Sequence, residues 1–203
     1  MKKLLIANRG EIAIRISRAA TELGIETVSI YTQDDSASLH TKKTDAAVCL
    51  KGTGAAGYLD IDNIIALAVQ QHCDAVHPGY GFLSENKDFA AACEAADIIF
   101  VGPTPEQLGL FGDKSQARRL AASCDVPLVP GTNGNTDLAD VKAFVEQLPK
   151  GQTAIIKAIA GGGGRGMRMV ASSEEVDKVF DRCKSEAKAA FGNDAVYIEQ
   201  LIP

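Results

Sequence analysis

The segment Lys3-Leu4-Leu5-Ile6-Ala7-Asn8-Arg9-Gly10 decides the fold, because an apolar run leads through a glycine directly into a helical pattern. The apolar run at 3–7 predicts a buried strand, and residues 10–23 predict an amphipathic helix. Gly24 stands where a helix C-terminal cap is expected. The helical stripe consists of Ile12, Ile16, Ala19 and Leu23. A strand followed at once by a helix is the repeating unit of a parallel sheet covered by helices.

The same alternation continues through the first hundred residues. Further strands are predicted at 27–31, 46–50, 75–77 and 98–101, and further helices at 61–71 and 88–96. Short β-branched runs separated by amphipathic segments indicate a doubly wound α/β arrangement.

After the turn at 102–105 the pattern changes to that of a small α+β unit. Helices are predicted at 106–110, at 114–123, from about 137 and at 174–191, and strands at 154–158, 167–170 and 196–199. We therefore divide the chain into a first domain, 1–112, and a second domain, 113–203. The second domain stops abruptly at Pro203, shortly after its last predicted strand.

Composition excludes several classes of protein. The 203 residues carry a formal charge of -5, which argues against a broad nucleic-acid surface. No apolar run has the length of about 20 residues that spans a bilayer, so no membrane contact is expected. Five widely spaced cysteines favour free thiols in a reducing, cytoplasmic setting over a zinc site or a disulfide framework.

The run from Ala160 to Met167, Ala-Gly-Gly-Gly-Gly-Arg-Gly-Met, is the strongest chemical signal. Consecutive glycines let successive backbone N–H groups approach a polyphosphate, and Arg165 adds further donors. The alternative is a flexible hairpin turn, which needs only one or two glycines. The run is neither a P-loop nor a dinucleotide fingerprint, since no Lys-Ser or Lys-Thr follows and no helix begins there.

Two lysines accompany the glycine run in this hypothesis. Lys157 ends an apolar strand at the mouth of the loop, where its ammonium can pair with phosphate oxygens. Lys114 follows the N-cap residue Asp113 at a helix start, a position that suits a bound anion. The simpler interpretation of each is a solvated surface lysine.

Three further segments stand at strand ends. Glu199 is predicted to close the last strand, where its carboxylate and free backbone amides could receive an amine and an adenine edge. The segment Asn8-Arg9-Gly10 either binds a ligand or only forms the turn, with Asn8 as a cap. The loop 77–86 either faces a site or packs on the next domain.

Taken together, these motifs resemble the biotin carboxylase family over all 203 residues. The resemblance rests on three segments in order: residues 6–13 (Ile-Ala-Asn-Arg-Gly-Glu-Ile-Ala), residues 77–86 (His-Pro-Gly-Tyr-Gly-Phe-Leu-Ser-Glu-Asn), and residues 157–167 together with 186–192. The first two segments distinguish this family from other ATP-grasp enzymes.

The resemblance implies a Rossmann-like pre-ATP-grasp domain, followed by the start of an ATP-grasp fold whose lid spans roughly 131–203. Such enzymes are ATP-dependent carbon-nitrogen ligases that use ATP, Mg²⁺ (or Mn²⁺) and bicarbonate to carboxylate biotin on a carrier protein. The implied parent is an acyl-CoA carboxylase, such as acetyl- or propionyl-CoA carboxylase, or a pyruvate carboxylase. Its implied partners are the biotin carboxyl carrier, a carboxyltransferase and a second copy in a homodimer.

Roles carried over by the resemblance concern nucleotide binding only. Lys114 and Lys157 match the phosphate-binding lysines, Gly163 and Gly164 the lid glycines, and Met167 an apolar contact to adenine. Glu199, Gln200, Leu201 and Ile202 match the hinge strand at the adenine edge. The metal-binding and catalytic residues are expected beyond Pro203, so we expect no turnover by this chain alone. Ile159-Ala160 departs from the family, where a small polar residue and one more glycine are common.

Two alternatives remain at the level of sequence. A carbamoyl-phosphate synthase type of ligase shares the glycine-rich lid, although the loop 77–86 favours the biotin carboxylase. The other is a non-catalytic assembly module in which the first helix presents Arg18 and Glu22 to a partner.

Overall fold

A computed structural model describes residues 1–160 and 166–202. The chain forms two compact units, Met1–Gly109 and Leu110–Pro203, and the division falls inside a helix. Gly163 and Gly164, the predicted lid glycines, lie outside the described residues.

Unit 1 is a parallel sheet with helices between its strands. Its elements in chain order are β1 (Lys3–Ile6), α1 (Gly10–Glu22), β2 (Glu26–Tyr31), β3 (Ala46–Cys49), α2 (Gly54–Gly57), α3 (Ile61–Gln70), β4 (Ala75–His77), α4 (Lys87–Ala95) and β5 (Ile99–Phe100), with 3₁₀ turns at Gln33–Asp35 and Leu39–Lys42. The strand order is β3-β2-β1-β4-β5, and each neighbouring pair is parallel. The order reverses at β1, which confirms the predicted doubly wound arrangement.

The core of unit 1 lies on both faces of this sheet because side chains alternate along β1. Leu4 and Ile6 pack in a cluster with Ala13 and Ile16 of α1. Leu5, on the other face, belongs to a larger cluster that includes residues of α3 and α4. A strand buried on both faces needs the continuous apolar run from which it was predicted.

The buried stripe of α1 differs from the predicted one. Ile16 is buried as expected, but Leu23 is 75% exposed and Ala19 is also exposed. Ala13 and Ala20 pack on the sheet instead, and Ser17, also buried, donates to the Lys43 carbonyl. The small alanine side chains let the helix lie close to the strands, so packing overrides the more hydrophobic stripe.

Unit 2 is built on an antiparallel sheet of three strands. Helix α5 (Pro105–Gly112) contains the point of division, and then come α6 (Lys114–Ser123), α7 (Leu138–Gln147), β6 (Thr153–Ala158), β7 (Met167–Val170), a 3₁₀ turn (Ser173–Glu175), α8 (Val176–Phe191) and β8 (Val196–Leu201). The strand order is β7-β6-β8. This is the small α+β unit that the sequence predicts. Asp113 caps α6 as expected, accepting hydrogen bonds from the amides of Ser115 and Gln116.

One face of this sheet carries the core of unit 2. Ala154, Ile156 and Ile198 are fully buried with Val176 and Cys183 of α8. The opposite face of the same strands is thereby left to the other set of alternating side chains.

The five cysteines are free, as predicted. Cys73, Cys93 and Cys183 are buried, and burial raises the pKa of each thiol to about 11. In the part of the chain that the structure describes, no helix has the length and apolar character needed to cross a membrane.

Candidate functional site

The candidate site lies on the face of the unit 2 sheet opposite α7 and α8, which we call the charged face. Its members alternate with the core residues along the three strands: Ile155, Lys157, Met167, Met169, Tyr197 and Glu199. The antiparallel register places Lys157 between Met167 on β7 and Tyr197 on β8. One cation and one anion therefore stand among apolar and aromatic groups.

Lys157 and Glu199 form an ion pair across neighbouring strands. The Nζ of Lys157 donates to Oε1 of Glu199. The side chains are 25% and 14% exposed, so water reaches the pair only in part. Lys157 is thus not the solvated strand-end lysine of the simpler interpretation, since its ammonium is held over the charged face.

A second cation, Arg118, approaches the same carboxylate. Its guanidinium donates through Nη2 to the carbonyl of Val129 at 2.9 Å, and its Nη1 lies 3.8 Å from Oε2 of Glu199. The sequence interpretation missed Arg118. The available signal was its spacing of four residues from Lys114 on α6, which puts both basic side chains on one side of that helix.

Lys114 lies at the beginning of the glycine run. Its Nζ donates to the carbonyl of Ile159 at 3.3 Å, two residues before the segment that the structure does not describe. The structure therefore places both predicted lysines next to strand β6 or the segment that follows it.

Met167 and Met169 supply the apolar part of the charged face. Both belong to the edge strand β7, and their residues are 39% and 61% exposed. Flexible, polarizable thioether side chains adapt well to a flat aromatic ligand. The edge of the charged face at β7 is therefore apolar and exposed.

The hinge segment differs from the prediction in two respects. Strand β8 does not close at Glu199 but continues to Leu201, because residues 199–201 pair with β6. The amide of Gln200, expected to be free, donates to the carbonyl of Pro130 at 2.8 Å. Ile202 follows the strand end and is 59% exposed. The prediction of free backbone amides is thus wrong for Gln200.

Gly131 allows the chain to pass directly beside Glu199. A Cβ atom at this position would lie 2.7 Å from the carbonyl of Ile198 and 2.8 Å from the Cβ of Glu199. Only glycine lets the two backbones approach so closely. This contact, which the sequence interpretation did not identify, fixes the position of Glu199 from the side of β8 away from β6.

Tyr197 adds a neutral hydroxyl to the charged face. Burial, together with the adjacent Glu199 carboxylate, raises the pKa of Tyr197 to about 12. The residue is 6% exposed and lies opposite Lys157 in the strand register.

The second part of the third sequence segment, residues 186–192, packs close to Gly166, the last glycine of the run. Gly166 has a φ of +66°, and a Cβ there would meet Ala158 at 2.9 Å and the Phe191 ring at 3.4 Å. The thiol of Cys183 points at the Gly166 carbonyl at 3.3 Å. Glu186 pairs with Arg168, which ties β7 to α8, and with Arg182 one turn earlier on α8 itself.

In unit 1, the first and second sequence segments are joined by Asn8. Its Nδ2 donates to the carbonyls of Pro78 at 2.7 Å and Tyr80 at 2.9 Å. Its Oδ1 accepts from the Arg9 amide, so Asn8 makes no side-chain cap on the body of α1. The role of Asn8 is to hold the loop 77–86 against the end of β1.

We expect Asn8→Ala to lower the free energy of unfolding by about 2 kcal/mol, because two carbonyl groups lose their buried donor. Asn8→Asp should cost more at neutral pH, since a carboxylate would face two carbonyl oxygens. Urea denaturation followed by circular dichroism measures both variants. A milder effect for Asn8→Asp than for Asn8→Ala would contradict this role.

Arg9, the other candidate at this edge of the sheet, belongs to a cluster of structural contacts. Its guanidinium pairs with Asp35 at 2.8 Å and lies over the rings of Tyr58 and Phe82. The Arg9 guanidinium and the Tyr58 and Ser38 hydroxyls hold the pKa of Asp35 below its usual value against the opposing effect of burial. Through these contacts of Arg9, the segment 8–10 stabilises unit 1.

Among residues 1–160 and 166–202, no group of three or more His, Cys, Asp or Glu side chains is placed to hold a metal ion.

Each unit matches a known protein family. Residues 1–108 match the family model "Biotin carboxylase, N-terminal domain", and residues 113–203 match "Carbamoyl-phosphate synthase L chain, ATP binding domain". The fold and these matches define the class as a biotin carboxylase N-terminal domain followed by an ATP-binding domain. The chain belongs to the biotin carboxylase family.

Individual relatives make the placement more specific. The chain is 52% identical over 207 residues to the pyruvate carboxylase of Bacillus subtilis (strain 168), covering 100% of this chain and 18% of that protein. It also superimposes on the biotin carboxylase–β,γ-ATP complex of Campylobacter jejuni with a TM-score of 0.93 and 40% identity. This match covers 100% of this chain and 45% of that one.

A third comparison is the biotin carboxylase domain dimer of the Hydrogenobacter thermophilus 2-oxoglutarate carboxylase, in complex with MgADP, ADP and bicarbonate. The TM-score is 0.91 and the identity 40%, over 99% of this chain and 44% of that one. These likenesses confirm the predicted biotin carboxylase resemblance and the ATP-grasp fold class. The chain spans less than a fifth of the length of the curated relatives that it matches.

Proposed function

We propose that this chain is the nucleotide-binding part of a biotin carboxylase and that the charged face receives ATP. The observation that carries the proposal is the Lys157–Glu199 pair, held beside the exposed Met167 on the side of the sheet away from the core. A cation next to an apolar, polarizable surface suits a ligand that is a polyphosphate at one end and an aromatic base at the other.

Lys157 and Lys114 are proposed to bind the phosphates. Both ammonium groups lie at β6 or at its continuation into the glycine run, where Gly163 and Gly164 are proposed to supply backbone N–H groups. ATP with Mg²⁺ (or Mn²⁺) provides the transferable phosphoryl group when bound. The contribution of these side chains is positioning and charge neutralisation.

The adenine edge is proposed to meet the segment Glu199–Gln200–Leu201–Ile202. The backbone amide of Gln200 already donates to the Pro130 carbonyl. The backbone carbonyl of Gln200 is therefore the group proposed to hydrogen-bond the adenine edge. Ile202 lies beyond the last pair of β8, and its backbone is proposed to meet the adenine edge there.

The parent enzyme is proposed to be of the pyruvate carboxylase type, in preference to an acetyl-CoA or other acyl-CoA carboxylase. The support is the identity to the Bacillus subtilis pyruvate carboxylase along the whole of this chain. Biotin is then a carrier-bound substrate, and a carboxyltransferase uses the product. A homodimer is also proposed, since Arg18 and Glu22 of α1 are exposed and the Hydrogenobacter thermophilus relative is a domain dimer.

Titration calorimetry of the 203-residue chain with MgATP tests the proposed site. We expect dissociation constants in the micromolar range for MgATP and MgADP, and much weaker binding of inorganic phosphate, which lacks the base. A bicarbonate-dependent ATPase assay on the same sample should give no turnover, because the metal-holding and carboxylating residues are proposed to lie outside this chain. Absence of MgATP binding would contradict the proposed site.

A further inference from the structure

Glu199 is contacted by two cations, although only one of them is a predicted phosphate ligand. Lys157 holds Oε1, and Arg118 lies 3.8 Å from Oε2. The Arg118 side chain is 16% exposed and that of Glu199 is 14% exposed. Both groups are therefore largely removed from water, where an unbalanced charge is costly.

Arg118 is held in place independently of Glu199. Its Nη2 donates to the Val129 carbonyl at 2.9 Å, and its position on α6 is fixed by a helix that Asp113 caps. Its buried Nε has no hydrogen-bond partner among the described residues. This anchoring of the guanidinium does not involve Lys157.

We propose that Arg118 is a positioning residue: it keeps Glu199 neutralised and oriented, so that the Lys157 ammonium can turn from the carboxylate to a nucleotide phosphate. This inference rests on the proposed function. Without Arg118, Lys157 would be the single cation left on a poorly solvated carboxylate, and binding a phosphate would leave that carboxylate unpaired. Arg118 thus acts on nucleotide affinity through Glu199, without touching the nucleotide.

A double-mutant cycle between Arg118→Gln and Glu199→Gln tests the inference, with MgATP affinity measured by calorimetry. We expect Arg118→Gln to weaken MgATP binding about fivefold. In the Glu199→Gln background the same change should alter affinity by less than about twofold, because no carboxylate is left to balance. Arg118→Lys should recover part of the loss, because it keeps the positive charge. The recovery should be incomplete, because lysine lacks the planar fork with which arginine reaches both Val129 and Glu199.

The matched control is Arg119→Gln, which removes the same charge from the next, exposed position of α6. It should leave MgATP affinity within about twofold of the wild type, because solvent screens it. Thermal unfolding establishes that each variant is folded. Should Arg118→Gln not fold, Arg118→Lys is measured in the same cycle.

The outcomes separate the two proposals. If the wild-type chain does not bind MgATP, the proposed function is overturned, and the role of Arg118 with it. If the wild type binds and Arg118→Gln binds equally well, only the role of Arg118 is overturned. An equal loss with and without Glu199 would also overturn it, because Arg118 would then act through Val129 or by long-range charge.

Discussion

Lys157→Met is expected to weaken MgATP binding about 50-fold, the largest effect on affinity that we predict for a single side chain. The ammonium contributes a charge-assisted hydrogen bond to a phosphate, worth about 2–3 kcal/mol. Methionine keeps the length and apolar stem of lysine, so the loss is confined to the charge. Titration calorimetry with MgATP measures it directly.

Lys150→Met is the matched control for this prediction. Lys150 is an exposed lysine in the turn before β6, so the same substitution removes a charge from unit 2 without reaching the charged face. We expect its MgATP affinity to stay within about twofold of the wild type. Equal affinities for Lys157→Met and Lys150→Met would show that the phosphates bind elsewhere.

Gly166→Ala is expected to lower the free energy of unfolding by about 3 kcal/mol. An L-residue at a φ of +66° costs about 1–2 kcal/mol, and the added Cβ would lie 2.9 Å from Ala158 and 3.4 Å from Phe191. Overpacking of this kind costs a further 1–3 kcal/mol or so. Urea denaturation, with circular dichroism as the signal, gives the difference.

Gly192→Ala separates the two contributions. Gly192 has a φ of +71° at the end of α8, but nothing lies within 4 Å of an added Cβ. This variant should therefore lose only about 1–2 kcal/mol, the cost of the left-handed backbone alone. Similar losses for both variants would mean that the packing around Gly166 relaxes without cost.

Much of the fold could be predicted because the deciding signals are local. The apolar run at Lys3–Ile6 and the helical spacing after it depend only on neighbouring residues, and both elements form where they were expected. The buried side of α1 could not be predicted in the same way. It depends on how closely Ala13 and Ala20 let the helix approach the sheet, which is a property of the assembled unit.

The candidate site shows the same division between local and non-local information. The positions of Lys157 and Met167 on facing strands follow from a hairpin that the glycine run already indicates. Arg118 and Gly131 were missed because their contacts with Glu199 join residues that are 81 and 68 positions apart in the chain. The length of β8 was misjudged for a related reason: residues 199–201 remain extended because β6 supplies their partners.

The place of β1 in the middle of the five-stranded sheet has a consequence for how unit 1 acquires its structure. The first strand of the chain pairs with β2 on one side and with β4, more than 70 residues later, on the other. Asn8 cannot fasten Pro78 and Tyr80 until β4 has docked, so the loop that follows β4 is ordered only after the longest closure in this unit. Contacts between such distant segments slow folding. During synthesis, β1, β2 and β3 emerge well before β4, so the β4 side of β1 stays unpaired until residues 75–77 have emerged.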